Sequence, residues 1–332
     1  MLPHPLGFAE AASPRSRGEV LIEPMHLSYA QNLEDYHLVR VFAGKTEGFY
    51  VDVGAGHPVG DNVSFHFYLQ GWRGIVVEPQ ERLCRLYATL RPRDVAVCTL
   101  VGAEEGETAF HEVEGLHGFS TTVARHAEGA AAFGASFTTC RRSMTTLAAL
   151  CAAHAPEQGI DFLKVDVEGA ERDVLAGADW RRFRPKVVLV EAVAPGDMAP
   201  SHEAWEPILL ENGYAFAFFD GLNRFYVADE AAALKERFPE KPAPWDAVRH
   251  LYEFGRAPEN PQHPDHALAK ALAGACLAAL PTLSPEALRA LLSAGAAGPE
   301  VERLIAGLDT DAFRAALGRI AAPYDGGQLL DD

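Results

Sequence analysis

Acids and glycines follow apolar runs at three places in this 332-residue chain, and their types and spacing suggest nucleoside chemistry. The run Phe49-Tyr50-Val51-Asp52-Val53-Gly54-Ala55-Gly56 places a carboxylate and two glycines at the end of an apolar strand. Glycine has no side chain to block a ligand and takes positive φ freely, so such a turn can cradle a nucleoside. Asp52 stands where it can accept hydrogen bonds from an amino-acid ammonium. The next glycine is Gly60, one residue too late for the G-x-G-x-x-G fingerprint of dinucleotide folds. In Gly74-Ile75-Val76-Val77-Glu78-Pro79 the acid falls at about the spacing at which a doubly wound sheet puts its ribose-binding residue. Glu78 can accept from both ribose hydroxyls at once. The third place is Leu163-Lys164-Val165-Asp166-Val167-Glu168, joined by Glu191 at the end of a further apolar run.

Together, an acid for the amino-acid portion and an acid for the ribose favour S-adenosylmethionine over NAD. The residues expected to bind it are Gln31, Asp52, Gly54, Gly56, Glu78 and Val101. For Gln31, and for Asp35 close by, helix capping or packing is an equal alternative.

The elements that must carry these residues follow from apolar periodicity. A helix is expected from Ser28 to Phe42, with Leu38, Val41 and Phe42 as its apolar stripe. Strands are expected near 49–53 and 74–78, with a helix over 62–70 between them. A helix near 81–90 leads to a third strand over 94–101. A fourth strand near 161–167 is followed by a helix to about Ala176. The fifth, 186–191, is a continuous Val-Val-Leu-Val run of the kind buried between two helical layers. Segments 214–219 and 224–227 are joined by a turn too short for a crossover helix, which makes them an antiparallel edge hairpin. The expected fold is α/β, a doubly wound seven-stranded Rossmann-like sheet with that hairpin, plus a C-terminal α-helical appendage.

Residues 1–26, rich in proline, glycine and small side chains, read as a flexible leader, 27–250 as the α/β domain, and 251–332 as a proline-rich linker with three or four short helices. His263 and His266 lie in that linker. A net charge of −17 argues against nucleic acid or an anionic membrane as main partner. No stretch of 18 apolar residues occurs, so no membrane span is expected, and the N-terminus lacks the apolar run of a secretory signal. The five cysteines, scattered and without a C-x-x-C pair, suggest neither disulfides nor zinc and fit a reducing cytoplasm.

Five segments, Ser28–Asp35, Tyr50–Gly56, Gly71-Trp72-Arg73-Gly74 through Glu78-Pro79, Leu163-Lys164-Val165-Asp166-Val167-Glu168-Gly169-Ala170-Glu171, and Asp220-Gly221-Leu222-Asn223-Arg224-Phe225, resemble the FkbM family of S-adenosylmethionine-dependent methyltransferases in order and spacing. The resemblance covers roughly residues 27–245. It implies O-methylation of a hydroxyl on a saccharide or another hydroxylated small molecule, with a small-molecule or glycan acceptor as partner and homo-oligomerisation left open. A hydroxyl is a poor nucleophile near neutral pH, so a base or a metal should help remove its proton. Asp166 and Glu168 sit just beyond the fourth strand, at the sheet edge where open α/β folds bind ligands, and Glu191 ends the fifth strand at the same edge. The catalytic candidates are therefore Asp166, Glu168 and His57. Asp166, Glu168 and Glu191 are the candidate metal ligands, whose oxygens suit Mg2+ or calcium rather than zinc. Glu168 or Glu171 serves equally well as a helix N-terminal acid, and for His57 a ligand-lining or structural ring is the favoured alternative to a base. Ser120 and Thr121, in the polar glycine-containing segment with Gly115, Gly118, Gly129 and Gly134, are expected to meet the acceptor. Two competing readings are a nicotinamide-dependent oxidoreductase and a non-catalytic adenosylmethionine-binding module.

Overall fold

The computed structural model describes residues 27–113, 117–129, 135–194, 199–245, 248–295 and 298–321; the expected leader, Gly115 and Gly134 lie outside the described residues. The chain divides into two compact units at Leu251 and Tyr252.

Short apolar runs become the buried strands of the first unit. These are β1 (Phe49–Val53), β2 (Arg73–Val77) and β3 (Val95–Val97), and later β7 (Phe162–Val165), β8 (Val187–Glu191), β9 (Tyr214–Phe219) and β10 (Asn223–Ala228). They form one seven-stranded sheet in the order β3-β2-β1-β7-β8-β10-β9. β1 lies between β2 and β7, parallel to both, with Val51 opposite Ile75 and Leu163. β10 runs antiparallel to both β8 and β9. Alternate residues of β8 enter separate clusters, Val188 and Val190 in one, Val187 and Leu189 in the other, so apolar packing covers both faces of the sheet. Around it lie helices α1 (Glu34–Val41), α2 (Phe65–Leu69), α3 (Glu81–Leu90), α4 (Ala124–Gly129), α5 (Leu147–His154), α6 (Glu171–Ala176) and α7 (Glu206–Glu211).

Three expectations change. The first helix starts at Glu34 rather than Ser28, because Leu33 adopts a left-handed φ of 64° and Ser28 bridges to His250 instead. The helix expected over 62–70 is confined to α2, since Asn62 and Ser64 spend their side chains on Ala55, Tyr87 and Asp52. The strand expected over 94–101 is two strands in different sheets. After β3 the chain breaks, and β4 (Leu100–Gly102) joins β5 (Gly106–Val113) and β6 (Phe137–Thr146) in a second sheet of order β4-β6-β5.

A buried cation organises one face of the main sheet. Arg91 is fully buried and donates to Asp94, Asn62, Ser64, Tyr50 and the Pro58 carbonyl. A guanidinium is tolerated there because every N–H has a partner and Asp94 supplies the counter-charge; breaking such a pair generally costs about 3–5 kcal/mol. Cys84 on α3 and Cys98 after β3 are disulfide-bonded, which overturns the expectation of no disulfide. The cysteines thus give no support to a reducing compartment. Among the described residues no helix is long and apolar enough to cross a membrane.

The second unit contains α8 (His266–Ala279), α9 (Pro285–Gly295), α10 (Pro299–Ala306) and α11 (Asp311–Ala321). Its linker histidines are hydrogen-bonded to backbone: His263 Nδ1 accepts from the Asp265 amide, and His266 Nδ1 meets the Ala257 carbonyl.

Candidate active site

A cavity of about 430 Å³ opens at the C-terminal ends of β1, β2, β7 and β8. There the chain leaving β1 turns in close contact with the backbone that leaves β7. Gly54 has φ +72°, and a Cβ on it would lie 1.7 Å from the Asp166 carbonyl oxygen, so only glycine fits. The Gly54 and Ala55 amides both donate to the Val77 carbonyl, pinning the turn to the end of β2. Gly56, also left-handed, leaves open space at its Cα beside the cavity.

Glu78 lines this cavity directly after β2 and is only 4% exposed. Its Oε2 accepts from the Gly56 amide at 2.8 Å and its Oε1 from the Gln80 amide at 2.8 Å. Burial pushes its pKa up to about 7, despite those amides. Two fixed amides set the carboxylate's orientation and leave lone pairs for further donors.

Asp52 is placed differently. Alternation along β1 puts it on the face of Tyr50, 1% exposed and outside the cavity lining. Ser64 Oγ donates to its Oδ2 at 2.7 Å while accepting from Arg91, and its Oδ1 lies 3.7 Å from Lys164 Nζ. Lys164, unremarked in the sequence, reaches into the cavity floor from β7. It donates to the Gly54 carbonyl at 2.7 Å and stands 3.2 Å from Asp166 Oδ2. Burial opposes its charge, yet Asp166 and Asp52 more than compensate and hold its pKa above the usual lysine value. A lysine inside a run of buried parallel strand was the signal that could have found it.

Asp166, Glu168 and Glu191 converge, each offering a carboxylate oxygen within 4.8 Å of the others. All three line the cavity. Glu191 is 9% exposed, and among the described residues no group donates a hydrogen bond to its carboxylate. Burial raises the pKa of both Glu168 and Glu191; Asp166 and Glu171 push each higher, and Lys164 opposes. Glu171 stays out of the cluster's open side. Its Oε1 accepts from the Val167 and Gly169 amides, closing the turn into α6.

Gln31 and His57 also line the cavity. The backbone amides of Val59 and Gly60 point at His57 Nδ1, at 3.2 and 3.1 Å. A neutral ring so held carries its proton on Nε2. Asp35 is fully buried and accepts from Ser28 Oγ and the Tyr29 amide, a packing role. The segment beside Gln31 is tied down: Glu34 accepts from the Asn32 amide and from Asn223 Nδ2, and Asn32 Nδ2 donates to the Asp220 carbonyl.

Val101, on β4 in the second sheet, lines the cavity too, with Phe110, Phe119, Ser120 and Thr121. The two phenylalanines were missed because they sit on strands and turns of low apolar periodicity. Ser120 Oγ accepts from the Val113 amide.

Residues 52–216 match the family model of the methyltransferase FkbM domain. The span runs from Asp52, at the end of β1, into β9, and so contains Gly54, Glu78, Lys164 and all three clustered carboxylates. No curated protein matches the chain. The chain thus carries an FkbM domain, and the family resemblance read from the motifs holds over this span.

Proposed function

We propose that the protein is an S-adenosylmethionine-dependent O-methyltransferase acting on a hydroxyl of a saccharide or another hydroxylated small molecule. The observation that carries the reading is the pairing, within the FkbM span, of an amide-fixed Glu78 with a three-carboxylate cluster in one cavity. The residues fit the cofactor: the glycine turn exposes backbone, Glu78 offers acceptors for two ribose hydroxyls, and Gln31 lies over the same space. Asp52 acts at one remove, holding Lys164 beneath Gly54.

When bound, the cofactor would supply an electrophilic methyl group on a sulfonium, a leaving group that needs no acid. The chain's own work is orientation, desolvation and proton removal. Glu168 in its ionised form takes the acceptor hydroxyl's proton at a carboxylate oxygen, and burial beside Asp166 raises the proton affinity of that oxygen. Lys164 fixes Asp166 and balances part of the cluster's charge. Phe110 and Phe119 supply apolar wall that excludes water. The oxygen-only donor set also fits a divalent cation such as magnesium, which Asp166, Glu168 and Glu191 would hold and which would acidify the hydroxyl. His57, as an Nε2 donor, orients rather than deprotonates.

The helical unit beyond Leu251 takes no part in this site as proposed, since every residue invoked lies in the first unit. A chain truncated after Ala257 is expected to fold and to bind adenosylhomocysteine within about twofold of full length, a difference below about 0.5 kcal/mol. Calorimetry on the purified truncation checks this; insolubility or lost binding would show that the helices complete the core. Titration with NAD in parallel tests the oxidoreductase reading, which predicts heat from NAD and none from adenosylhomocysteine. The non-catalytic reading predicts adenosylhomocysteine binding with no transfer of labelled methyl to any hydroxylated acceptor.

A further inference from the structure

We propose that Thr121 and His126 are positioning residues that clamp the Glu168 backbone and so aim its carboxylate at Asp166 and Glu191. The inference rests on the reading of Glu168 as the proton acceptor. Glu168 has φ +56°, in the left-handed region that a glutamate rarely occupies, and Gly169 follows with φ +101°. Such a conformation persists only where the surroundings over-determine it. Here the surroundings are two donors from the segment between β5 and β6. Thr121 Oγ1 donates to the Glu168 carbonyl at 2.8 Å, and His126 Nδ1 meets the same oxygen at 2.9 Å, so both of its lone pairs are used.

The imidazole is matched to this task. Arg125 Nε donates to His126 Nε2 at 3.3 Å, which puts the proton of a neutral ring on Nδ1, toward the carbonyl. The Cε1–Nδ1 edge of the ring also crowds Gly169, where a Cβ would lie 2.4 Å from Cε1. Thr121 is itself anchored. Its backbone exchanges two hydrogen bonds with His111 on β5, and it is 1% exposed. Its hydroxyl also accepts from the Val123 amide, so the group is committed to the fold rather than offered to an acceptor. Glu171 ties down the far side of the turn through the Val167 and Gly169 amides. The wall that carries Phe119 and Ser120 into the cavity is therefore mechanically one piece with the residue that takes the proton.

The test compares wild type with Thr121→Val, His126→Leu and the double variant, and with Thr121→Ser and His126→Asn, which keep a hydroxyl or a nitrogen donor in place. Three readouts are taken on the full chain: Mn2+ binding by electron paramagnetic resonance, adenosylhomocysteine affinity by calorimetry, and the crystal structure of each variant. Removing both donors should release Glu168 from the left-handed region and weaken Mn2+ binding at least about tenfold. Adenosylhomocysteine affinity should stay within about twofold, because Glu78 and the glycine turn are untouched. Thr121→Ser and His126→Asn should restore the wild-type Glu168 geometry. An unchanged Glu168 φ and carboxylate position in the double variant overturns the proposal, as does a loss of cofactor affinity that parallels the Mn2+ loss. If the double variant does not fold, the single variants decide by the same criteria. If wild type takes up no Mn2+, the cation reading fails by itself, and the position of Glu168 still decides the clamp.

Discussion

Glu168→Gln is expected to lower methyl transfer about 10²- to 10⁴-fold, the usual contribution of a positioned base, while adenosylhomocysteine affinity stays within about twofold. The substitution keeps the side chain's length and removes its proton affinity. It also relieves a cluster in which Asp166, Glu168 and Glu191 approach within 4.8 Å with Lys164 opposed to them. A small gain in thermal stability should therefore accompany the loss of activity, because burying like charges is costly. The measurement pairs single-turnover transfer from labelled S-adenosylmethionine, to a hydroxylated acceptor that supports wild-type turnover, with calorimetry on the same preparation. Normal turnover in a folded variant would remove Glu168 from the chemistry.

The second large effect is expected at the glycine turn. Gly54→Ala must find room for a methyl 1.7 Å from the Asp166 carbonyl oxygen and must also hold a left-handed φ of +72°. Overpacking and backbone strain together should cost about 2–5 kcal/mol. The obstacle is backbone at the end of a buried strand, so it cannot swing aside. Gly56→Ala meets nothing within 4 Å and bears only the φ penalty, about 1–2 kcal/mol. Urea unfolding of the two variants should reproduce that order. Equal destabilisation would mean that the close approach of β1 and β7 is not what selects glycine at residue 54.

Much of this architecture is legible in the residues. Continuous apolar runs such as 187–190 mark buried parallel strands, and the acid or glycine that ends each run marks the sheet edge where ligands sit. Glu78, Asp166, Glu168 and Glu191 were located this way, and the structure brings all four to one cavity. Asp52 shows the limit of that reasoning. Its distance from Gly54 suggested ligand contact, but its parity with Tyr50 turns it toward Ser64 and the Arg91 network.

Elsewhere long-range partners hold information that spacing does not. Lys164 looks like an anomaly in an apolar strand until Asp52, Gly54 and Asp166 are seen around it. The second sheet escaped because β6, Phe-Thr-Thr-Cys-Arg-Arg-Ser-Met-Thr-Thr, is partly exposed along most of its length and lacks an apolar alternation, although its threonines favour extended backbone. The Cys84–Cys98 bond escaped because α3 and β3 fold back over a separation of 14 residues with no spacing signature. The start of α1 was misplaced because a left-handed leucine at residue 33 interrupts an otherwise helical pattern.

The central claim, that this cavity binds S-adenosylmethionine through Glu78, is tested most directly by calorimetric titration of adenosylhomocysteine into wild type and Glu78→Ala. The predicted result is one site per chain in the low-micromolar range or tighter. Glu78→Ala should lose about 1.5–3 kcal/mol, roughly a 10- to 150-fold weakening, because two ribose hydroxyls lose a charged acceptor. Absence of binding by folded wild type, or a folded Glu78→Ala variant that binds with unchanged affinity, would contradict it.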